Sequence, residues 1–565
     1  MLRTFVEHEA RPVDSLCGLW EFTTKAERRD RAKLPKRYAR RIHVPSAWET
    51  LPGLGNYRGR AWLRTTVDAA PDRALRLVFG GVSHTGTVFV DGRKVGHHYD
   101  AFTPWDVVVP GLSPGEHELV VEVDNSFGPH SALHIENDYY TYGGITRPAQ
   151  AQYVPEVFID KLFATPARRG SRWELAVRVR LRNWSKKRRT CRLVVALSDV
   201  VLDLGKVAVG AGRTREVRGL LPDLEVEPWS PASPSLYEAV VLLLDGDDVV
   251  DDLVDRIGFR EIAVRGRKLL LNGSPLRLRG YNRHEDHPLF GNALPVEAMA
   301  HDLALLRDLG CNFVRTCHYP NDLRFLDLCA EMGICVWEES HARSVPFSHP
   351  RFRDQIAAST TEMVAWHHNC PAILIWGCLN ECDSASSAGR REHARVLKLL
   401  KKLDPSRPVT FASNKAERDR CLDLVDIVSW NRYDAWYGGE PPDVEPALRR
   451  ALRWLHSAKS RGGKGKPVIL SEFGAGAIPG CRNPNHAKWT EEYQAEVLDE
   501  SLRVYLNHPD VAGAAIWQFA DVRVTRNHWG GRPRTMNNKG TVDEYRRPKL
   551  AYDVVRRRMH EAAER

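Results

Sequence analysis

The sequence predicts a multidomain β plus α/β protein: an N-terminal jelly-roll sandwich, an immunoglobulin-like β-sandwich and a C-terminal (β/α)₈ TIM barrel. Three observations lead to this prediction. The chain has 565 residues, which is too long for a single hydrophobic core. Short strand patterns without helical periodicity fill roughly the first half. Strands then alternate with helices over about 300 residues, the usual size of a TIM barrel.

Residues 1–153 are predicted to form the jelly-roll domain. Apolar and β-branched runs at 76–79, 87–90 and 118–124 have the length and composition of strands. An Asp91-Gly92 pair after the second run is a typical hairpin turn. Because no amphipathic helix interrupts these runs, we expect a two-layer sandwich.

Residues 154–262 are predicted to form the immunoglobulin-like sandwich. Between 175 and 181, leucine or valine alternates with alanine or arginine, which indicates a strand with one buried and one solvated face. The run 235–244, the turn Asp245-Gly246 and the following valines predict a hairpin. About 110 residues of this kind suit a single sandwich domain.

Residues 263–565 are predicted to form the barrel. Helical spacing at 302–310 and 322–333 ends at a glycine in each case, as expected of a helix C-terminus. Eight strands can be placed between such segments. They are expected at 276–281, 312–316, 334–338, 372–380, 409–413, 426–431, 468–472 and 514–519.

Composition and charge exclude several classes of function. The net charge is +10, but the basic residues form short clusters far apart and accompany no nucleic-acid-binding motif. We therefore expect no nucleic-acid partner. Charged residues interrupt the N-terminus at once and no apolar run is long enough to span a membrane, so we expect a cytoplasmic protein without a membrane partner.

The eleven cysteines are an odd count, and nine lie between Cys311 and Cys481. Reduced, buried thiols suit this pattern better than a disulfide framework. Cys378 with Cys382, and His367-His368 with Cys370, lack the paired spacing of a zinc site. No metal or other cofactor is expected.

Two predicted barrel strands end in glutamate. The apolar run 372–379 leads to Asn380-Glu381, and 466–471 leads to Glu472. Catalytic residues of TIM barrels lie at the carboxyl ends of the strands. Two carboxyl groups on one rim are the minimum apparatus for splitting a glycosidic bond. Other carboxylates expected near the rim are Glu285, Glu338, Glu339 and Asp521.

The chain resembles glycoside hydrolase family 2, which includes β-galactosidases, β-glucuronidases and β-mannosidases. The order of the three domains is that of the family, and the first is similar to its sugar-binding-like domain. Five spaced motifs also match: Gly143-Gly-Ile-Thr-Arg147, Gly280-Tyr-Asn-Arg-His284-Glu285-Asp286, Val314-Arg315-Thr-Cys-His318-Tyr319-Pro320, Trp376-Gly-Cys-Leu-Asn380-Glu381 and Leu470-Ser-Glu472-Phe-Gly474.

The resemblance implies roles for particular residues. Glu381, preceded by Asn380, matches the acid/base, and Glu472 matches the nucleophile of a retaining mechanism, in which the carboxyls stand about 5–5.5 Å apart. Asn537 and Lys539 resemble the pair that binds the carboxylate of a uronic acid, with Arg534 as a second cation. Further substrate-binding candidates are Asp138, His284, Asn431, Tyr433, Trp436, Tyr437 and Trp517.

The sequence thus predicts a retaining exo-β-glucuronidase that acts on a small-molecule uronide, and the resemblance implies a homo-oligomer. A β-galacturonidase, a β-galactosidase or a catalytically inactive carbohydrate-binding protein are the alternatives. Because of two departures from the glucuronidase pattern, the sequence does not determine which uronic acid the enzyme recognises. The loop 521–534 contains four arginines, and the segment 340–349 after the third barrel strand is short.

Overall fold

A computed structural model describes residues 1–30 and 32–564 and begins with a two-layer sandwich. Six antiparallel strands form one layer and four form the other. Trp20, Phe22, Leu77 and Val121 are among the side chains buried between them. The strands are Val13–Ser15, Gly18–Thr24, Arg40–Val44, Arg60–Ala69, Ala74–Phe79, Val82–Ser83, Thr85–Val90, Arg93–Tyr99, Trp105–Val109, Gly115–Asp124, Gly144–Ile145 and Ala149–Val154, with a 3₁₀ helix at Trp48–Thr50.

A second sandwich packs a three-stranded sheet against a four-stranded one. Leu175, Val177, Val179 and Leu181 are buried between the layers, so the predicted alternation is confirmed. The predicted hairpin is also present, since Tyr237–Asp245 pairs with the last strand. The strands are Val157–Arg169, Arg172–Asn183, Arg189–Leu197, Val200–Val209, Thr214–Leu224, Tyr237–Asp245 and Asp248–Ile257.

The C-terminal part is a closed parallel barrel, reached through a small antiparallel sheet at Ile262–Arg265, Lys268–Leu271 and Ser274–Leu276. All eight barrel strands overlap the predicted segments, but the fifth is in two short pieces and the eighth begins and ends three residues earlier than predicted. They are Leu278–Asn282, Phe313–Thr316, Cys335–Glu339, Ile373–Gly377, Val409–Thr410 with Ala412–Ser413, Val428–Asn431, Val468–Phe473 and Val511–Ile516. The β plus α/β fold class is therefore confirmed; the jelly-roll and immunoglobulin-like names of the sandwiches stay predictions.

The helices correct one detail of the prediction. The described residues contain seven α-helices rather than eight, because only the 3₁₀ turn Ala416–Arg418 follows the fifth barrel strand. The connection there is short. It is stabilised by Asp419, which accepts hydrogen bonds from the Ser384 and Ser413 hydroxyls. The helices are Val296–Asp308, Leu323–Met332, Phe352–His367, Ser387–Leu403, Val444–Leu455, Glu491–Tyr505 and Leu550–Ala563.

The first sandwich is joined to the barrel by buried contacts. Arg147 donates to Glu285 at 2.8 Å and to the Pro320 carbonyl at 2.6 Å. The rings of Phe102 and Tyr319 stack at 3.9 Å between centroids. These contacts hold the first sandwich against the residues that follow the first and second barrel strands.

Two further properties bear on the sequence-based expectations. No helix among residues 1–30 and 32–564 is long and apolar enough to cross a membrane. All eleven cysteines are free thiols, and nine are buried, as the expectation of reduced thiols requires.

Candidate active site

A cavity of about 710 Å³ opens at the carboxyl ends of the barrel strands and contains both predicted catalytic glutamates in its lining. Glu381 and Asn431 stand on one side. Glu472 lies in the seventh strand, and Trp517 directly follows the eighth. The first sandwich contributes Asp138, so the cavity is built from two domains.

The turn that presents Glu381 is sharply bent. Leu379 and Glu381 both have left-handed backbone angles, with φ of 51° and 52°. Non-glycine residues adopt this conformation at an energetic cost, and such residues concentrate at functional sites. The Glu381 amide is held by the Ala412 carbonyl at 2.9 Å. Its side chain accepts a hydrogen bond from the Asn431 amide at 3.0 Å.

Glu472 is buried and receives two hydrogen bonds. Arg315 donates to Oε1 and the Tyr433 hydroxyl donates to Oε2, each at 2.9 Å. Burial and the nearby Glu381 raise the pKa of Glu472 to about 7, although Arg315 opposes the shift.

Arg315 connects Glu472 to two further side chains on this side of the cavity. Its guanidinium contacts Glu339 and the Asn380 side-chain oxygen, each at 2.8 Å. These contacts fix the Asn380 amide so that its Nδ2 has no partner among the described residues. A buried donor without a partner is costly, which suits an amide that awaits a substrate hydroxyl. Sequence analysis quoted Arg315 only as part of a motif and assigned it no role.

Two arginines that the sequence analysis did not select surround Asp138. Arg343 lies 3.1 Å from Oδ1, and Arg532 lies 2.8 Å from Oδ2. Burial alone would raise the pKa of Asp138, but these guanidiniums hold it well below its ordinary value. Arg343 also lies 3.6 Å from Glu381. Each arginine lies in one of the two segments that depart from the glucuronidase pattern. That departure is the feature of the sequence that could have identified both arginines as site residues.

Lys539 is buried in the cavity wall with only 2% of its surface exposed. Its ammonium donates to the Tyr437 hydroxyl at 3.3 Å and lies 5.3–5.8 Å from the ring centroids of Tyr433, Trp436 and Tyr437. It forms no ion pair with any described residue. Burial lowers the pKa of Lys539 to about 7, and the neighbouring charge of Arg532 adds to the shift.

The structure does not bring Arg534 into the cavity lining, which corrects its proposed place beside the carboxylate. Its guanidinium pairs with Glu544 and donates to the Asn538 side chain at 3.3 Å. These partners neutralise and hydrogen-bond the Arg534 guanidinium outside the cavity. Arg532, two residues earlier, contacts Asp138 instead.

Besides Asn380 and Arg534, three predicted residues are absent from the cavity lining. Asn537 donates to Asp138 at 3.2 Å. His284 stacks on Tyr139 at 4.7 Å, and Trp436 packs edge-on against Trp489. They support the lining residues rather than facing the cavity. Residues that line it as predicted are Asp138, Glu381, Asn431, Tyr433, Tyr437, Glu472, Trp517 and Lys539.

The other rim carboxylates have fixed partners in the protein. Glu285 pairs with Arg147, and Glu338 accepts from the Asn321 amide and contacts His367, each at 2.9 Å. Asp521 pairs with Lys549 at 2.8 Å. Glu381 and Glu472 are therefore the predicted rim glutamates that line the cavity, together with Asp138, Asp434 and Asp443.

Comparison with known proteins identifies the family. The model described as "Glycosyl hydrolases family 2, TIM barrel domain" matches residues 262–563, and "Glycosyl hydrolases family 2" matches 157–260. The chain belongs to glycosyl hydrolase family 2. This family 2 chain is accordingly a glycoside hydrolase and is similar to β-glucuronidases.

Named relatives of this hydrolase include enzymes for two uronic acids. A Streptococcus agalactiae β-glucuronidase is 28% identical over 548 residues, covering 87% of this chain and 88% of the relative. A solved Eisenbergiella tayi β-galacturonidase bound to galacturonate is 43% identical with a TM-score of 0.93 and covers 99% of both chains. A Dictyoglomus thermophilum β-glucuronidase structure is 26% identical with a TM-score of 0.83 and covers 98% of both chains.

Proposed function

We propose that this hydrolase is a retaining exo-β-uronidase that removes terminal β-linked uronic acids, with galacturonides as its preferred substrates. The observation that carries the uronide proposal is the unpaired, buried ammonium of Lys539 in the cavity wall. A buried charge without a counter-ion is unfavourable, so the site is built for a ligand that brings an anion.

In the proposed mechanism, Glu472 attacks the anomeric carbon while Glu381 donates its proton to the leaving oxygen. The glycosyl–enzyme ester is then hydrolysed by a water molecule that Glu381, now a base, deprotonates. The contacts support this assignment of roles. Arg315 and the Tyr433 hydroxyl both donate to Glu472, and such donors favour a carboxylate over a carboxylic acid.

Glu381 suits the acid role for a different reason. It accepts a single neutral hydrogen bond from Asn431, and Arg343 stands farther away at 3.6 Å. It is also the less enclosed of the two side chains, at 14% exposed against 5% for Glu472. A leaving group and an incoming water must both reach the acid/base, so the more open carboxyl is the better candidate.

The carboxylate of the sugar is proposed to bind Lys539, with the Tyr437 hydroxyl beside it. Pairing an ammonium with a carboxylate in a largely dry site gives a strong charge-assisted hydrogen bond. A neutral galactoside would leave Lys539 unpaired. The proposed uronidase activity therefore explains the lysine better than a β-galactosidase activity does.

The choice between the two uronic acids depends on the hydroxyl at C4, which neighbours the carbon that bears the carboxylate. Asp138 is linked to the carboxylate-binding side through Asn537 and to Glu381 through Arg343. This position suits a group that recognises the C4 hydroxyl. The 43% identity to a β-galacturonidase along the whole chain favours the galacto epimer.

A β-glucuronidase is the second candidate, favoured by the names of the curated relatives. The deciding experiment measures kcat/KM on aryl β-galacturonide, β-glucuronide, β-galactoside and β-glucoside under one set of conditions. We expect the galacturonide to be the best substrate and both uronides to exceed their neutral counterparts. A preference for glucuronide would reverse the epimer assignment, and a preference for a neutral sugar would refute the uronidase proposal.

A further inference from the structure

The cavity extends beyond the residues that are proposed to hold the uronic acid. Its volume is about 710 Å³. A single hexuronate displaces on the order of 200 Å³, judged from about 30 Å³ for each water and the closer packing of bonded atoms. More than half of the cavity therefore remains for the rest of the substrate. Lining residues without a role in the proposed uronate or acid/base contacts include Asn414, Ala416, Asp443, Ala447 and Arg450, which together are called the outer cleft.

The outer cleft lies on the side of the proposed acid/base. The Glu381 amide donates to the Ala412 carbonyl at 2.9 Å, and the Lys415 ammonium donates to the Glu381 carbonyl at 3.3 Å. The segment that carries Asn414 and Ala416 therefore flanks Glu381. Because Glu381 is proposed to protonate the leaving oxygen, the leaving group must lie beside this segment.

A second wall of the outer cleft is one face of the helix Val444–Leu455. Asp443 directly precedes this helix and already has helical backbone angles, with φ of −77° and ψ of −13°. Ala447 and Arg450 follow at spacings of four and three residues, which place the three side chains on the same helix face. Seven residues of α-helix rise about 10.5 Å, a length that two linked sugar rings can span. The small side chain of Ala447 leaves the space between the two charged residues free.

Polar groups of this side of the cavity are largely unengaged by the protein. The side chains of Arg450 and Asn414 form no ion pair or hydrogen bond with the described residues. Asp443 uses one carboxylate oxygen, which accepts from the Glu440 amide at 2.9 Å. The indole N–H of Trp430, a buried lining residue, likewise has no partner in the described part of the chain. An apolar leaving group would cover these donors and acceptors without pairing them, whereas sugar hydroxyls can pair with all of them.

We propose that the outer cleft binds the leaving group and selects a neutral saccharide of at least two sugar units. The hydrolase then removes a uronic acid from the non-reducing end of an oligosaccharide. Asn414 and Asp443 bind hydroxyls of the first sugar beside Glu381, and Arg450 binds hydroxyls of the second. The opposite charges of Asp443 and Arg450 leave the outer cleft without a net charge, which favours a neutral saccharide over an acidic one.

This inference rests on the proposed cleavage beside Glu381, but it does not depend on which sugar occupies the inner part of the cavity. The test therefore varies only the leaving group. Its substrates carry the sugar that the aryl glycoside panel selects, expected to be galacturonic acid. That sugar is β-linked to an aryl group, to galactose, xylose or glucose, or to the disaccharide of each. A wrong assignment of the inner sugar changes the result of the aryl panel, whereas a wrong assignment of the leaving group changes only the comparison among these substrates.

The wild type should hydrolyse at least one trisaccharide with a kcat/KM about tenfold above that of the matching disaccharide, the effect expected of a hydrogen bond to a charged group. Arg450→Ala should remove this gain. Asn414→Ala should lower kcat/KM for the disaccharide relative to the aryl substrate by about fivefold, because it removes hydrogen bonds to the first sugar. Both side chains are exposed, so neither substitution disturbs the packing of the barrel.

Arg453→Ala is the matched control. Arg453 is another arginine of the same helix without an ion pair among the described residues, and it does not line the cavity. Its replacement should leave the trisaccharide-to-disaccharide ratio at the wild-type value. Trisaccharides that are no better than disaccharides in all three series would overturn the proposal. A gain that survives Arg450→Ala, or that Arg453→Ala removes equally, would also overturn it.

Discussion

The role proposed for Lys539 leads to a charge-specific prediction. Lys539→Met removes the ammonium and keeps an unbranched chain of similar length, so the surrounding rings of Tyr433, Trp436 and Tyr437 retain their packing. A bound uronate then loses its counter-ion in a buried site. Neutral sugars lose nothing, because they bring no charge to the cavity.

The expected magnitude follows from the burial of the pair. Removing one partner of a buried, hydrogen-bonded charge pair costs about 2–5 kcal/mol, or roughly 30- to 5,000-fold in kcat/KM. The pKa of Lys539 is lowered to about 7, so the ammonium is fully present only below that pH. The uronide preference of the wild type should therefore fall as pH rises through about 7, by about tenfold per unit above it.

The assay is the ratio of kcat/KM for each aryl uronide to that for the matching neutral glycoside, measured from pH 5 to 9. The titration of Glu472, whose pKa is raised to about 7, affects both substrates alike and cancels in this ratio. In the Lys539→Met variant, the ratio of uronide to neutral kcat/KM should be low and should not change with pH. Lys539→Arg keeps its charge at high pH and should move the decline to higher pH. A wild-type ratio that is insensitive to both pH and Lys539→Met would refute the reasoning.

Three further predictions concern the other cavity residues. Glu381→Gln should lower turnover of substrates with poor leaving groups by about 10²–10⁴-fold and spare activated aryl glycosides, because acid assistance matters only for basic leaving oxygens; equal losses would exclude Glu381 as the acid. Glu472→Ala should be inactive, and azide should restore a product of inverted configuration; a mechanism-based fluorosugar that labels Glu338 or Glu339 would overturn this assignment. Arg343→Ala frees one side of Asp138 and should change the galacturonide-to-glucuronide ratio by about 5- to 150-fold, the effect of about 1–3 kcal/mol; an unchanged ratio would remove Arg343 from epimer selection.

The sequence predicts the strand-borne part of the cavity well. Glu381 and Glu472 follow apolar runs whose length and composition define buried parallel strands, and the carboxyl ends of such strands form the barrel mouth. Lys539 was also predicted, although only through a resemblance. In each case the local sequence and the barrel architecture together determine where the residue lies.

Loop-borne residues could not be placed in the same way. Arg532 and Arg534 stand in one arginine-rich loop, and local sequence does not distinguish the arginine that reaches Asp138 from the one that pairs with Glu544. The difference depends on how the loop packs against the first sandwich. The missing helix after the fifth strand has a similar origin, since hydrogen bonds to Asp419 hold a short connection where a barrel pattern predicts a helix.

The division of the cavity between domains has a consequence for how the enzyme uses its first sandwich. Asp138 comes from a loop of that sandwich, between the strands Gly115–Asp124 and Gly144–Ile145, whereas Arg343 and Arg532, the two cations that contact it, come from the barrel. Without Asp138, Arg343 and Arg532 would lose the carboxylate that both contact. Asp138 balances one of the three positive charges of Arg343, Arg532 and Lys539, and a bound uronate carboxylate would balance a second. The buried contact between Arg147 and Glu285 keeps this balance by fixing the sandwich to the barrel. The N-terminal domain is therefore a component of the proposed carboxylate recognition, because it supplies an anion that balances part of the barrel's positive charge beside Lys539.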